Sequence, residues 1–269
     1  YGTDGQVLTS GGAGAAVAWE DAGGAVTALN NATANELVTV GSTTTELDAE
    51  SGLTYTDGAL VIGGTTPSLT IGDAGAEDTK IVFDGNAQDF HIGLDDSADD
   101  LVIGLGSTLG TTSHIVCDEA GTVTMPLQPC CSVRLASSMS ALGSSSTTKI
   151  TFDTERFDVN ADFNTSTNTF TAPVTGKYMV QHQIRVDSLA EDAGYYQIST
   201  VTSNATYNTT FDPGGYDGDL DYYAFTGGIL MDMDASDTCY FNIVQNAGSV
   251  QAVVSGGASN SFISIGLLC

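Results

Sequence analysis

Basic residues are scarce in this chain. Only six of its 269 residues are Lys or Arg, against 33 Asp and Glu, so the formal net charge is −27 at pH 7. Nucleic acids and anionic membrane surfaces are bound by clustered Lys and Arg, so the composition argues against both as partners. Charged residues are still only 14% of the chain and hydrophobic residues 41%. That balance fits a folded protein rather than a highly charged tail.

Long apolar runs and helix-forming segments are also lacking. No run approaches the length of a transmembrane helix, and no stretch has the 3.6-residue period of an amphipathic helix. Glycine is abundant, with 32 residues, whereas proline contributes only five. With many Ser and Thr, this composition predicts an all-β protein of short strands and tight turns. The start, Tyr1-Gly-Thr-Asp-Gly5, has neither an initiator Met nor a signal-like pattern, as we expect of a processed chain or a fragment.

Recognisable catalytic motifs are missing too. The cysteines form no Cys-x-x-Cys pair, which argues against a zinc ribbon or a thioredoxin-type site. No Gly-x-Ser-x-Gly occurs, and no histidine has a nucleophile partner in a known motif. His182 falls on the apolar side of a predicted strand, so we expect it in the core or at an oligomer axis. We therefore predict that the protein is not an enzyme. The five cysteines are Cys117, Cys130, Cys131, Cys239 and Cys269.

The two parts of the chain differ in composition. Residues 1–126 carry 19 acidic groups, one basic group and five aromatic residues. Residues 127–269 carry 14 acidic groups, five basic groups and 16 aromatic residues. Because aromatic side chains supply much of the buried area of a core, residues 127–269 are predicted to form a globular head. Residues 1–126 are predicted to form an extended, Gly-rich β shaft for assembly.

The first part consists of short strand-like pieces separated by turn signals about 8–12 residues apart, the rhythm of an all-β protein. Such strands cannot bury a face alone, so they need neighbouring repeats or other copies of the chain. We favour other copies. The predicted strands include Gln6–Thr9, Glu36–Val40, Ala59–Ile62, Ser68–Ile71, Lys80–Phe83, Phe90–Ile92 and Leu101–Ile103.

Three segments of this part resemble segments of phage fibres. Gly2-Thr-Asp-Gly-Gln-Val-Leu-Thr-Ser10, followed by Trp19-Glu20, resembles a segment recurrent in bacteriophage tail-fibre and related virion proteins. Glu46-Leu-Asp-Ala-Glu-Ser-Gly-Leu-Thr-Tyr-Thr-Asp-Gly58 is similar to another, and residues 70–104 resemble a module of fibres from aquatic bacteriophages. The resemblance implies a virion fibre and identifies no host.

The second part reads as about ten strands in ~140 residues, which suggests a two-sheet jelly roll. Its strongest segment is Lys177–Val186, in which even-numbered residues from Tyr178 to Val186 alternate onto an apolar face. Met179, Gln181, Gln183 and Arg185 take the other face.

Four residues of the head resemble a family signature. Phe163, Phe170, Gly176 and Tyr178 are spaced as in the C1q/tumour-necrosis-factor-like jelly roll, and Ser261–Leu268 is similar to that family's last strand. Phe157 lies one position from the family's upstream aromatic residue, and Val180 replaces a usual Phe. The resemblance implies a C1q-like jelly-roll head and a homotrimer in which one sheet of each protomer packs around a threefold axis.

The same resemblance makes the first and last strands of the head antiparallel neighbours. Cys130 or Cys131 would then lie near Cys269, within one chain or between chains. A Cys131–Cys269 disulfide is the pairing we predict, if the protein matures in an oxidising compartment. Cys239 lies in an apolar strand and is expected to be a buried free thiol.

Two candidate ligand sites lie in predicted loops of the head. Asp217, Asp219 and Asp221 stand two residues apart in a Gly-rich loop, and calcium takes about six to eight oxygen ligands from such loops. The full EF-hand pattern is absent, so a solvated acidic loop is the alternative. The host-contact surface is predicted in distal loops such as Asp212–Tyr223 and Tyr207–Thr210, because exposed tyrosines suit contacts with sugar or protein. The binding candidates are Tyr207, Tyr216, Tyr222 and Tyr223.

The leading functional hypothesis is a non-enzymatic, homotrimeric virion fibre protein whose head binds a glycan or protein of the host surface. The alternative is an extracellular fibril or capsid-decorating subunit, in which a segment such as Gln6–Ser10 completes a neighbour's sheet. A depolymerising tailspike enzyme ranks last, because it normally needs a larger β-helix and a cleft with paired carboxylates.

Overall fold

The computed structural model describes residues 2–21, 28–30, 36–40 and 46–269. Within these ranges every regular element is a β-strand, and no helix long and apolar enough to cross a membrane is found. The chain divides into two compact units, residues 1–73 and residues 74–269. The predicted boundary after residue 126 falls inside the second unit, between a five-stranded sheet and the sandwich that follows it.

The first unit contains two small sheets. A hairpin pairs β1 with β2, and in a second sheet β5 lies between β3 and β4 and also pairs with β6. Apolar side chains remain exposed here, including Val7 at 45%, Leu8 at 55% and Val17 at 63%. The strands are β1 (Gln6–Ser10), β2 (Val17–Asp21), β3 (Ala28–Asn30), β4 (Glu36–Val40), β5 (Glu46–Thr56) and β6 (Ala59–Ile62).

The fibre-like segment at the start of the chain is a turn followed by this hairpin. Gly5 has φ +90 in the turn, where Gln6 N donates to Thr3 O at 3.2 Å. Leu8 pairs with Trp19 across the hairpin. A Cβ on Gly2 would lie 2.7 Å from the Trp19 ring, so only glycine lets that ring lie on the backbone. The spacing of glycine and tryptophan is therefore a packing requirement of the hairpin.

The second unit begins with a five-stranded antiparallel sheet in the order β11-β10-β9-β8-β7. The loop between β9 and β10 folds back over one face, where it buries Leu109 at 8% exposure. A Cβ on Gly93 would lie 2.7 Å from Leu109 Cδ1, so Gly93 makes room for this loop. The strands are β7 (Thr79–Phe83), β8 (Phe90–Asp95), β9 (Asp100–Leu105), β10 (Ser113–Cys117) and β11 (Val123–Thr124).

The head is a sandwich of two antiparallel sheets. One has the order β14-β12-β23-β17-β20 with β22 beside β17, and the other β15-β16-β21-β18-β19 with β13 beside β21. The all-β fold with a jelly-roll head is confirmed. The strands are β12 (Cys130–Arg134), β13 (Thr147–Lys149), β14 (Thr154–Asp158), β15 (Phe163–Asn164), β16 (Thr169–Thr171), β17 (Gly176–Leu189), β18 (Tyr195–Thr202), β19 (Thr206–Phe211), β20 (Leu220–Met233), β21 (Thr238–Asn246), β22 (Val253–Val254) and β23 (Phe262–Leu267).

The predicted signature residues form one end of the core. Phe163 pairs with Phe170, whose ring lies 5.6 Å from that of Tyr178. These three side chains are at most 3% exposed, and Tyr178 Oη donates to Val174 O at 2.8 Å. A Cβ on Gly176 would lie 2.6 Å from Cys269 O. Gly176 is thus needed where the end of the chain crosses the start of β17.

Several predicted strands need correction. Ser68–Ile71 forms no strand. The predicted strands at Tyr222–Phe225 and Ile229–Met231 are one continuous strand, β20, and Tyr207–Thr210 lies in β19 rather than in a loop. The alternation predicted for Lys177–Val186 is confirmed, because Tyr178, His182 and the other even-numbered residues there are buried.

Candidate binding surfaces

The outer face of the β12-β23-β17-β20 sheet is the first candidate surface. In this sheet Ser264 pairs with Gln181, and Gln183 pairs with both Phe262 and Thr226. We call this surface the charge-poor face. It consists of the outward side chains of the four strands, at residues 130, 132, 134, 262, 264, 266, the odd-numbered residues 177–187 and the even-numbered residues 222–232.

Carboxylates are nearly absent from this surface, in a chain that carries 33. Among the described residues of the charge-poor face, the carboxylates are those of Asp187 and Asp232. Arg185 Nε lies 2.7 Å from Asp187 Oδ1, and Lys177 Nζ lies 2.5 Å from Asp232 Oδ1. Both negative charges are therefore paired, and the centre of the surface is uncharged.

The surface also exposes apolar groups. Leu230 is 53% exposed and Tyr222 62% exposed, with the Arg185 guanidinium 4.4 Å from the Tyr222 ring. Cys130, Phe157, Met179, Gly266 and Leu268 line a hollow at one end. An exposed mixture of apolar and uncharged polar groups is typical of a protein interface.

A second hollow follows from two glycines in the middle of β20. Gly227 and Gly228 leave a gap beside Gln181 and Thr226. Gly227 faces inward, where a Cβ would lie 2.7 Å from His182 Cε1. His182 is 4% exposed, and neither ring nitrogen has a hydrogen-bond partner. Burial lowers its pKa below 6.5, so His182 is a neutral residue of the sandwich core, one of the two positions predicted for it.

The loop between β19 and β20 is the second candidate surface. β17 begins at Gly176 beside Cys269 and ends at Leu189, which pairs with Leu220 at the start of β20. The chain enters the head beside Cys269, since Leu267 N donates to Pro129 O at 2.9 Å. The loop 212–219 therefore lies at the opposite end of the sandwich, which we call the distal end.

Two of the four candidate tyrosines are exposed and two pack against the core. Tyr216 is 48% exposed in the distal loop, and Tyr222 lies on the charge-poor face. Tyr207 and Tyr223 pack against the core instead, because both are inward-facing residues of strands. Tyr223 stacks on Phe211 with ring centroids 4.1 Å apart. The prediction that all four are exposed is thus wrong for Tyr207 and Tyr223.

The predicted calcium ligands are not assembled. Asp217, Asp219 and Asp221 are exposed, and Asp219 Oδ1 accepts a hydrogen bond from Glu191 N at 2.9 Å. No group of three or more His, Cys, Asp or Glu side chains is arranged to hold a metal ion in the part of the chain that the structure describes. The calcium site stays a prediction.

The cysteines correct another expectation. β12 and β23 are antiparallel neighbours as predicted, but all five cysteines are free. A Cys131–Cys269 disulfide is not formed within the chain because Cys131 faces the core at 0% exposure, whereas Cys269 is exposed. Cys130 faces outward on the charge-poor face. Cys239 is the expected buried thiol, and burial raises its pKa to about 12.

Solved structures of other proteins are similar to about half of this chain. No family model and no curated protein matches the chain. Among solved structures, the globular domain of zebrafish complement 1qA protein is similar to 53% of this chain over 98% of its own length, at 16% identity and a TM-score of 0.39. Two structures of murine APRIL, at pH 8.5 and pH 8.0, are similar to 52% of this chain over 99% of their length, each at 10% identity and a TM-score of 0.38.

The charge-poor face is not among the candidate surfaces predicted from the sequence. The signal was present in part, because Met179, Gln181, Gln183 and Arg185 were placed on one side of β17. What was needed was the knowledge that β20 and β23 flank this strand, and strand order cannot be read from periodicity. The distribution of basic residues is a second signal, since three of the six, Arg134, Lys177 and Arg185, lie on this face.

Proposed function

We propose that this protein is a non-enzymatic, homotrimeric fibre subunit of a virion that attaches to a host surface through the distal end of its head. The observation that carries the proposal is the charge-poor face. Three chains of net charge −27 repel one another, so a surface where copies meet must carry few unpaired carboxylates. The charge-poor face meets that condition.

The threefold assembly is supported by the residues that resemble the C1q/tumour-necrosis-factor-like signature, since that resemblance implies one sheet of each protomer around a common axis. Of the two sheets, the one with the charge-poor face is suited to the axis. Leu230, Met179 and Phe262 would bury apolar area there. The two hollows offer places for side chains of a neighbour.

Attachment is assigned to the distal loop 212–219, which lies at the end of the sandwich away from the chain's entry. Tyr216 is exposed there beside Phe211, with ring centroids 5.9 Å apart. An exposed tyrosine supported by a second ring is a rigid, amphipathic contact for sugar or protein. The neighbouring carboxylates of Asp217 and Asp219 favour a ligand with hydroxyl donors or positive charge.

The virion context rests on the fibre-like segments of residues 1–104, and an extracellular location is the alternative. The competing fibril hypothesis needs Gln6–Ser10 to leave its chain and join a neighbour. In the structure this strand is already paired with Val17–Asp21 over five register positions, so strand exchange would first have to open the hairpin. This observation favours the trimer.

The test is the variant Leu230→Glu, which places one carboxylate in the centre of the charge-poor face. We expect sedimentation velocity to show loss of the trimer, because three added charges would meet near the axis without partners. Thr206→Glu is the matched control, since Thr206 is exposed on the outer face of the other sheet. If both variants sediment as wild type does, the charge-poor face is not the interface.

A further inference from the structure

An isoleucine ladder crosses the five-stranded sheet of residues 79–124. Ile81 pairs with Ile92, Ile92 with Ile103, and Ile103 with Ile115. Residues in register point to the same side of a sheet, so these four side chains form one row across β7, β8, β9 and β10. No other element of this five-stranded sheet covers the row, and Ile81 at its edge is 41% exposed.

Further apolar rows flank the ladder on both sides. Phe83 pairs with Phe90 on one side, and Leu94 with Leu101 on the other. Leu101 continues to Cys117, and Cys117 to Val123. We call this surface the isoleucine face, and among its described residues none is charged. Its members are Thr79, Ile81, Phe83, Phe90, Ile92, Leu94, Leu101, Ile103, Leu105, Ile115, Cys117 and Val123.

The two faces of this sheet differ in how far the loop 106–112 covers them. The other side is covered by the loop 106–112, where His91 Nδ1 contacts Gly106 O at 2.8 Å and Lys80 Nζ donates to Ser107 O at 2.6 Å. Val102 on that side is 2% exposed, whereas Ile103 on the isoleucine face is 38% exposed. The loop thus closes the centre of one face, where only edge residues such as Val82 on β7 stay exposed, whereas the isoleucine face is open across all its strands.

The exposed apolar area is about three quarters of what each partner buries in a standard interface. Seven of its side chains are between 38% and 61% exposed, which leaves roughly 600 Å² of apolar surface per chain, against about 800 Å² per partner in a standard interface. A patch of about 600 Å² is at the upper end of the range for the largest apolar patch of a monomeric protein, where such patches are often interaction sites.

The proposed trimer would bring three such faces together. Only residues 125–129 separate β11 from β12, the strand at the charge-poor face. This linker is held on the head, since Asn160 Nδ2 donates to Leu127 O and Gln128 Nε2 donates to Leu267 O, both at 3.1 Å. Three heads around one axis would therefore hold three sheets at high effective concentration.

We infer that the isoleucine face packs against the same face of the other two copies, which gives the trimer a second, dry interface below the heads. The inference rests on the proposed trimer. Identical faces have identical row spacings, so the isoleucine rows of neighbouring copies can interdigitate as sheets do in a sandwich. Carboxylates such as Asp84, Asp95 and Asp118 lie at the strand ends, outside the contact.

Three native cysteines report on this arrangement in the full chain. Cys117 lies on the isoleucine face, Cys130 on the charge-poor face, and Cys269 is exposed. Native protein is alkylated with iodoacetamide, the modified peptides are quantified by mass spectrometry, and the mass of the same sample is measured by light scattering. Ile81→Glu opens the isoleucine face, and Val82→Glu is its control, because Val82 is 37% exposed on the opposite side of the same strand.

We expect a mass of three chains and alkylation of Cys117 at least tenfold slower in the wild type than in Ile81→Glu, with Val82→Glu unchanged. Should Ile81→Glu fail to fold, the wild-type rates at Cys117 and Cys269 are compared instead, and the same tenfold difference is expected. A trimer whose Cys117 reacts as fast as in Ile81→Glu, or as fast as Cys269, overturns this inference and leaves the proposed function standing. A mass of one chain overturns the proposed trimer and this inference with it.

Discussion

At the scale of single residues, His182 and Gly227 are coupled. The His182 ring occupies the space that a side chain at position 227 would need, and it stacks edge-on against Phe241 with ring centroids 5.9 Å apart. A histidine without hydrogen-bond partners is costly to bury. The glycine is what allows the ring to fit between the sheets.

Gly227→Ala is expected to destabilise the head by about 1–3 kcal/mol, because the added methyl group must displace the His182 ring in a packed core. Gly228→Ala is the matched control, since its Cβ would lie 3.5 Å from Val180 O, an ordinary contact distance. Urea unfolding followed by circular dichroism measures both. Equal loss of stability in the two variants would contradict this packing argument.

His182 also predicts an acid dependence. Burial lowers its folded-state pKa below 6.5, so the unfolded chain takes up the proton first as the pH falls. The stability from the neutral ring is present above pH 6.5 and is lost as the pH falls below that value, by up to about 1.4 kcal/mol per pH unit. Its cross-strand neighbours Gly227 and Ile263 and the nearby ring of Phe241 carry no charge.

The variant His182→Gln removes this titration. We expect the free energy of unfolding of the wild type to fall more steeply between pH 6.5 and pH 5 than that of the variant, measured in urea at each pH. Parallel curves for the two proteins would show that His182 does not titrate on unfolding. Other titrating groups, such as Asp162, whose pKa is raised by burial, contribute equally to both curves, so their effect cancels in the difference.

At the scale of elements, the alternation of apolar and polar residues predicts many of the strands but does not predict which strands pair. The alternation of Lys177–Val186 predicts a strand there, and β17 extends it to 14 residues. β20 has the same length but was read as two strands, because Thr226-Gly-Gly228 lacks the side chains that carry a pattern. Pairing with β17 over its whole length keeps it continuous.

The β19 strand shows the opposite error. Asn and Thr around Tyr207 read as a loop, since these residues are common in turns. The inward positions Tyr207, Thr209 and Phe211 alternate with exposed polar ones, so the signal was present but weak. The loop placement of Tyr207 is therefore wrong, whereas Tyr216 lies in a loop between strands as predicted.

The distal loop gives the element-scale prediction. Tyr216→Ala is expected to lower binding of the labelled full chain to a glycan array at least tenfold, because the exposed ring is the anchor of this loop. Tyr55→Ala is the control, since Tyr55 is a 56% exposed tyrosine outside the head. If Tyr55→Ala lowers binding as much as Tyr216→Ala does, attachment does not reside in the distal loop.

At the scale of the whole molecule, the chain buries its apolar surface unevenly. The sandwich encloses a core of side chains that are almost fully buried. The five-stranded sheet and the small sheets of residues 1–73 leave apolar side chains exposed, from Val7 to Val123. Composition predicted this contrast through the aromatic residues. It could not predict which faces stay open, because that depends on where loops such as 106–112 fold.

The central claim is that this acidic chain buries its charge-poor face and its isoleucine face by forming a trimer. Multi-angle light scattering of the purified full chain over a range of concentrations tests it most directly, since it measures mass without assuming a shape. The account predicts a single species of three chains, each of 27.6 kDa. A species of one chain, or an open-ended series of polymers, would contradict it.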